Sequence, residues 1–201
     1  MRRDAEAREW GRARKQGRKA KRGGPLYLRT TLKDATRGLH DALDLRMGPL
    51  SMERDLRDFL TLQYRARLPL EAWLEAAMDA PPPAQTPLLV EAMHASNTPV
   101  PRCDFERWDG DRRECLGIAW LLAGSSLGNR SILAHRRKAG LSGGEAFLGN
   151  AGMVAYWNTL RAELECDHDA ETTRHAVTGA KRGFAHFLWI CEQETKAMVA
   201  A

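Results

Sequence analysis

The chain is 201 residues long, a length that suits one ordinary domain with a tail and excludes two full-sized domains. With 43% hydrophobic and 28% charged residues it can bury a core, and no apolar run approaches the ~20 residues that span a bilayer. The net charge of +5 is uneven, because residues 1–25 carry a net +7 whereas the remainder carries −2. We therefore expect a soluble globular domain over residues 26–201, preceded by a basic arm, and no membrane segment.

The arm over residues 1–25 contains Trp10 as its one large apolar residue after Met1. This segment cannot bury enough apolar surface to fold alone, so we expect it to be disordered or weakly helical. Two interpretations stay open: a segment that binds nucleic acid, an acidic partner or an anionic membrane, or a solubilising extension or misassigned start. The acidic balance of residues 26–201 argues against nucleic acid as the main ligand.

The cysteines argue against a disulfide scaffold or a zinc knuckle. They lie at positions 103, 115, 166 and 191, which gives neither a C-x-x-C pair nor a dense framework. Residues 1–25 also lack the roughly 7–15-residue apolar stretch of a secretory signal. Reduced thiols and a cytoplasmic location are therefore the expectation.

From Leu26 onward the apolar residues recur at helical spacing and no segment alternates with a period of two, which predicts an all-α fold. Pro25 starts a first helix, whose apolar stripe consists of Leu28, Leu32, Ala35, Leu39 and Leu43. A second helix is predicted from Ser51 to Met78, kinked by Pro69 and ended by three prolines at positions 81–83.

The second half of the domain is also predicted to be helical. Thr86 and Pro87 are the expected N-cap and first residue of a short helix, and residues 97–110 are expected to form a loop. Asp111 with Glu114 resembles a capping box before the next apolar helix. Helices over about residues 145–165 and 169–197 complete the chain, the last with an apolar face made of Ala176, Ala180, Phe184, Phe187 and Cys191.

The first candidate site lies on the first helix. Lys33, Arg37 and His40 fall on nearly one line beside the apolar stripe, and Asp44 extends that line by one turn. A neutral imidazole flanked by cations suits an axial ligand of a metalloporphyrin, with the cations reaching the propionates. The alternative at this stage is a histidine that is solvated or part of the core.

The second candidate site is a run of small and polar residues within an apolar helix: Gly124, Ser125, Ser126, Leu127, Gly128 and Asn129. Each glycine in a helix interior costs ~0.5–1 kcal/mol relative to alanine, so another interaction must offset the pair. The two glycines are four apart and share a face on which another body can approach the backbone. Three interpretations stay open: a neighbouring helix crosses here, the segment is a loop that follows the helix, or a flat ligand lies against the helix. For a ligand, the two serines and Asn129 would supply polar groups.

These segments resemble the haem oxygenase family in content and in order. The family's proximal-helix pattern, L-K-x-A-T-x-x-x-H, is matched by Leu32, Lys33, Ala35, Thr36 and His40. Its distal pattern, G-[DS]-x-[LS]-G-G, is matched by Gly124, Ser125, Leu127 and Gly128, and A-K-x-x-F of its C-terminal helix by Ala180, Lys181 and Phe184. The likeness extends loosely over residues 26–197 and looks like the bacterial, biliverdin-producing branch that often accompanies phytochromes.

The resemblance implies a helical sandwich that holds haem between a proximal and a distal helix, with His40 as the axial iron ligand. Lys33 and Arg37 would pair with the propionates, while Phe184 and Tyr64 would lie near the haem. In the family haem is both cofactor and substrate. With O₂ and electrons from an external reductase or ferredoxin it is opened to biliverdin, CO and ferrous iron, and a phytochrome is a candidate bilin acceptor.

Two positions depart from the family's pattern. Ser125 stands where many members have aspartate, so serine hydroxyls would organise the distal water, and Asn129 stands in place of the second glycine, where it would donate a hydrogen bond or obstruct the site. A haem-binding protein that stores, senses or delivers haem without turnover therefore stays open, as does an adaptor that works through residues 1–25. The other histidines lack metal-site spacing: His94, His135, His168, His175 and His186.

Overall fold

The computed structural model describes residues 27–48, 50, 52–102 and 107–200, with side chains up to residue 194. Within these ranges the chain is helical and contains no strand, which confirms the all-α prediction. The elements are α1 (Leu28–Met47), α2 (Glu53–Ala77), α3 (Thr86–Ala95), the 3-10 turn Arg112–Glu114, α4 (Cys115–Lys138), α5 (Glu145–Leu148), α6 (Ala151–Leu164) and α7 (Ala170–Ala200). The basic arm and Pro25 lie outside the described residues.

Helix α4 occupies the centre of the domain, because it packs against α2, α5, α6 and α7. Its fully buried residues include Ile118, Ala119, Leu122 and Ala123. Helix α7 packs against α1, α2 and α4. The residues of its predicted apolar face are buried, except Cys191, which is partly buried. None of the described helices has the length and apolar character needed to cross a membrane.

The apolar stripe of α1 divides between two parts of the core. Leu28 and Leu32 are buried in a cluster that includes Leu160 of α6. Leu39 and Leu43 are only partly buried, against the cluster of α2, α4 and α7 residues that contains Phe184. The second half of α1, which carries His40, is therefore less enclosed than the first half.

The start of α3 differs from the prediction. Thr86 is the first helical residue rather than the N-cap, and the capping group is the carboxylate of Glu71 from α2. Glu71 Oε2 accepts hydrogen bonds from the backbone N–H groups of Gln85 and Thr86, at 2.9 and 3.0 Å, and from the Thr86 hydroxyl at 2.6 Å. Helix α2 itself continues through Pro69 without a break.

Two other helix starts also need correction. Asp111 caps the 3-10 turn by accepting from the backbone N–H of Arg113 at 3.0 Å, whereas Glu114 accepts from Arg182 of α7 at 2.6 Å instead of completing a capping box. The helix expected over residues 145–165 is divided at positions 149 and 150. Asn150 is the N-cap of α6, since its side chain accepts a hydrogen bond from the backbone N–H of Met153 at 3.0 Å.

Two glycines let α7 pack tightly against the start of α4 and against the 3-10 turn that precedes it. A Cβ atom on Gly117 would lie 1.8 Å from the carbonyl oxygen of Ala176, and one on Gly179 would lie 2.3 Å from that of Glu114. Both neighbours are backbone atoms, which cannot rotate aside as a side chain can. These glycines, which the sequence analysis did not single out, allow the helices to cross.

Gly117→Ala is therefore expected to destabilise the protein by about 1–3 kcal/mol or more, because the added methyl group forces the two backbones apart. Urea unfolding measures this loss as a lower midpoint at an unchanged slope. Gly38→Ala is the matched control, since a Cβ there meets nothing within 4 Å, and it should gain ~0.5–1 kcal/mol. Equal midpoints for the two variants would contradict the tight crossing.

Candidate functional site

His40 lies on the less enclosed half of α1, and 49% of its side chain is exposed. Its Nδ1 is 3.3 Å from a carboxylate oxygen of Asp44, one turn further along the helix. The imidazole also meets the ring of Phe184 edge-on, with 5.9 Å between the ring centroids. A carboxylate on Nδ1 favours the tautomer whose Nε2 carries a lone pair, which is the form that binds a metal.

The predicted cations lie on the exposed surface of α1. Lys33 precedes His40 by two turns and falls on nearly the same line. Arg37 is exposed and forms an ion pair with Asp34, so it shares its charge with a neighbour that the sequence analysis did not consider. The line of basic residues beside His40 is therefore present.

An aromatic contact connects α1 to α4. Phe184 of α7 meets the ring of His40, as above, and also the ring of Trp120 on α4, with a centroid separation of 6.4 Å. Trp120 precedes Gly124 by one turn on the same side of α4. Its indole Nε1 is buried and has no hydrogen-bond partner among the described residues. Trp120 thus joins His40, through Phe184, to the glycine segment.

The two glycines of α4 have different surroundings. A Cβ on Gly124 would lie 3.5 Å from the ring of Trp157, an ordinary van der Waals contact. A Cβ on Gly128 would meet no described atom within 4 Å. Within the described part of the chain no neighbouring helix requires the glycine at position 128, because the backbone there faces open space.

Ser125 is held by Arg67 of α2, whose guanidinium has no exposed surface. Its Nη2 donates to Ser125 Oγ at 2.6 Å and to the carbonyl oxygen of Leu122 at 3.2 Å. Its Nε donates to Gln63 at 3.0 Å, and its Nη1 is 3.4 Å from Glu71. Burial lowers the pKa of Arg67, and the neighbouring carboxylate of Glu71 opposes that change. Because the ordinary pKa of a guanidinium is far above neutral pH, Arg67 stays charged. Sequence spacing gave no sign of this contact.

Ser126 and Asn129 lie on the buried face of α4, and each is 5% exposed. Ser126 Oγ donates to the Leu122 carbonyl oxygen at 3.4 Å. The Nδ2 atom of Asn129 is buried without a hydrogen-bond partner in the described part of the chain. An unsatisfied amide of this kind is costly, which marks Asn129 as a group that a ligand or an ordered water would satisfy.

The remaining predictions concern Tyr64, metal-binding groups and the cysteines. Tyr64 packs against the cluster that contains Phe59 and Phe147, a different cluster from that of Phe184, so its place near a ligand stays a prediction. Over the ranges that the structure describes, no three or more His, Cys, Asp or Glu side chains form a group able to hold a metal ion. Cys115, Cys166 and Cys191 form no disulfide bond within those ranges, and Cys103 lies outside them.

The architecture is that of the haem oxygenases, which confirms the predicted fold class. A heme oxygenase from Neisseria meningitidis, whose structure was determined with NO and CO bound, superposes on this chain with a TM-score of 0.64. The two sequences are 21% identical, and the alignment covers 84% of this chain and 92% of the other. No protein-family model and no curated protein sequence matches the chain. At this identity the likeness establishes the fold, and function has to be argued from the site.

Proposed function

We propose that this protein is a haem oxygenase, which binds haem and cleaves it oxidatively to biliverdin, CO and ferrous iron. The observation that carries the proposal is the open space beside the backbone of Gly128 on α4, in a chain with the haem oxygenase fold. Ring contacts from Trp120 of the same helix to Phe184, and from Phe184 to His40, connect that helix to the imidazole. A histidine beside aromatic side chains, with glycine backbone on the helix that carries one of them, suits a porphyrin.

The residues present fit a haem in several respects. Space that a Cβ would fill lies beside Gly128, and the imidazole of His40 is oriented by Asp44 with Nε2 left to bind iron. Lys33 and Arg37 are exposed cations suited to propionate carboxylates. The buried donors of Trp120 and Asn129 have no hydrogen-bond partner among the described residues, and a bound group or its water would supply one.

When bound, haem supplies the redox chemistry, because its iron activates O₂ and its own ring edge is the substrate. The protein's part is to bind and orient. His40 would hold the iron, Lys33 and Arg37 the propionates, and Gly128 would leave room on the opposite face. Ser125 would order the water that supplies protons there.

A second candidate is a protein of the same fold that stores, senses or delivers haem without cleaving it. The observation that favours it is Ser125, which stands where many haem oxygenases have aspartate. An optical spectrum of the protein with haem, before and after a reductant is added in air, decides between the two. A Soret band that decays into a broad bilin band supports the oxygenase, a stable Soret band supports the carrier, and no Soret shift on mixing contradicts both.

The proposed reaction consumes electrons, so it requires an external donor such as a reductase or a ferredoxin. A bilin acceptor such as a phytochrome, and a cytoplasmic location, are proposed on the sequence resemblance and composition alone.

Deletion of residues 1–25 is expected to leave haem affinity and turnover nearly unchanged. The reason is that every proposed site residue belongs to α1, α2, α4 or α7, while the arm contributes its net charge of +7 before α1 begins. Haem titration and bilin yield of the truncated protein measure the effect, with circular dichroism to verify folding. Loss of haem binding by a folded truncation would show that the arm contributes to the pocket.

A further inference from the structure

We propose that Arg67 is a positioning residue that makes the Ser125 hydroxyl a hydrogen-bond donor toward the ligand side of α4. This inference rests on the proposed function and goes beyond it, because it names the buried charge that sets the polarity of the distal site. Arg67 is fully buried, whereas Ser125 is half-buried on the helix face next to Gly128. The serine can therefore act as the polar contact between the buried cation and a ligand.

The hydrogen bonds of Ser125 allow its proton to be redirected toward a ligand. A serine hydroxyl has one proton and two lone pairs. Arg67 Nη2 occupies one lone pair at 2.6 Å, and the proton is donated to the carbonyl oxygen of Leu122 at 2.9 Å. That carbonyl also accepts from Arg67 Nη2 at 3.2 Å. When the hydroxyl turns its proton toward a ligand, the Leu122 carbonyl thus keeps a charged donor and little is lost.

Besides its hydrogen bonds to Ser125 and Leu122, Arg67 is held by two further side chains. Gln63 accepts from its Nε, and Glu71 lies beside its Nη1. The other oxygen of Glu71 is held by the N-terminus of α3, through Gln85 and Thr86, so the carboxylate cannot turn away. A guanidinium held in this way, without solvent contact, polarises the hydroxyl that it binds and strengthens donation to an anionic or oxygen ligand.

Ser126 provides a matched control. It lies one residue further along α4 and donates to the same Leu122 carbonyl oxygen, but at 3.4 Å and without a hydrogen bond to Arg67. Replacing either serine by alanine removes one hydroxyl from the same turn. Only the replacement of Ser125 removes the hydroxyl that the cation binds.

Fluoride titration of the ferric haem complex tests the inference, since fluoride accepts hydrogen bonds and its binding is visible in the optical spectrum. Ser125→Ala is expected to raise the fluoride Kd about tenfold or more, as the loss of a charge-assisted hydrogen bond implies. The pair Arg67→Met with Glu71→Gln removes both buried charges together and is expected to weaken fluoride similarly. Combining all three substitutions should raise the fluoride Kd little further, because the serine variant and the double variant remove the same interaction. Ser126→Ala should leave the Kd unchanged, because the structure places Ser126 on the buried face of α4, where it donates to the Leu122 carbonyl oxygen and not toward a ligand as the sequence suggested.

An unchanged fluoride Kd in Ser125→Ala, or in a folded Arg67→Met, Glu71→Gln protein, overturns the inference while haem binding and the proposed function stand. If the wild-type protein gives no haem spectrum, both fail. Should the double variant not fold, nitrogen-15 NMR of the haem-free protein decides the part played by Arg67. Its guanidinium protons are expected to exchange slowly and to shift in Ser125→Ala but not in Ser126→Ala, and identical signals in the two variants would refute the contact.

Discussion

His40→Ala is expected to abolish haem turnover and to remove the optical spectrum of histidine-ligated haem. The imidazole is the proposed axial ligand, and its contacts with Asp44 and Phe184 orient it for that role. Truncation to alanine leaves a space of imidazole size, so added imidazole should restore part of the spectrum and part of the turnover. The measurements are the Soret band of the ferric complex and the bilin yield, each with and without imidazole.

His94→Ala is the matched control, because His94 is an exposed histidine on α3, a helix that carries none of the proposed site residues. Its spectrum and bilin yield should equal those of the wild-type protein. If His40→Ala binds and degrades haem as well as the wild type in the absence of imidazole, the assignment of the ligand is wrong.

Gly128→Leu is expected to abolish ring opening without harming the fold. Leucine favours a helix over glycine by ~0.6–1 kcal/mol, and the new side chain extends into space that no described atom occupies within 4 Å of its Cβ. Thermal stability should therefore match or exceed that of the wild type. The same side chain would fill the room that haem cleavage needs on the distal side, so bilin yield should fall to background.

Gly38→Leu makes the same replacement at an exposed position of α1 where a Cβ also meets nothing. It should raise stability similarly and retain turnover, which separates the effect of helix propensity from that of bulk at the site. Full turnover by Gly128→Leu would show that haem binds elsewhere.

The sequence determined the helices and most of the proposed site. Apolar residues at helical spacing predicted the long helices and the buried face of α7, because burial on one side of a helix leaves that period in the chain. The motif residues His40, Gly124 and Gly128 were found in the same way, since local spacing places them on helix faces. The identity of the fold came from the motif resemblance and was confirmed by the structural comparison.

The tertiary structure alone decided the contacts between helices that are distant in the chain. Nothing in the sequence around Gly117, at the crossing of α4 and α7, distinguishes it from other glycines. The atom that an added Cβ would clash with belongs to Ala176, which is distant in the chain. The cap of α3 comes from Glu71 on another helix, and Arg67 reaches Ser125 across 58 positions of sequence. Periodicity reports which side of one helix is buried, whereas a crossing, a remote cap or a buried hydrogen bond between two helices depends on which of their residues meet.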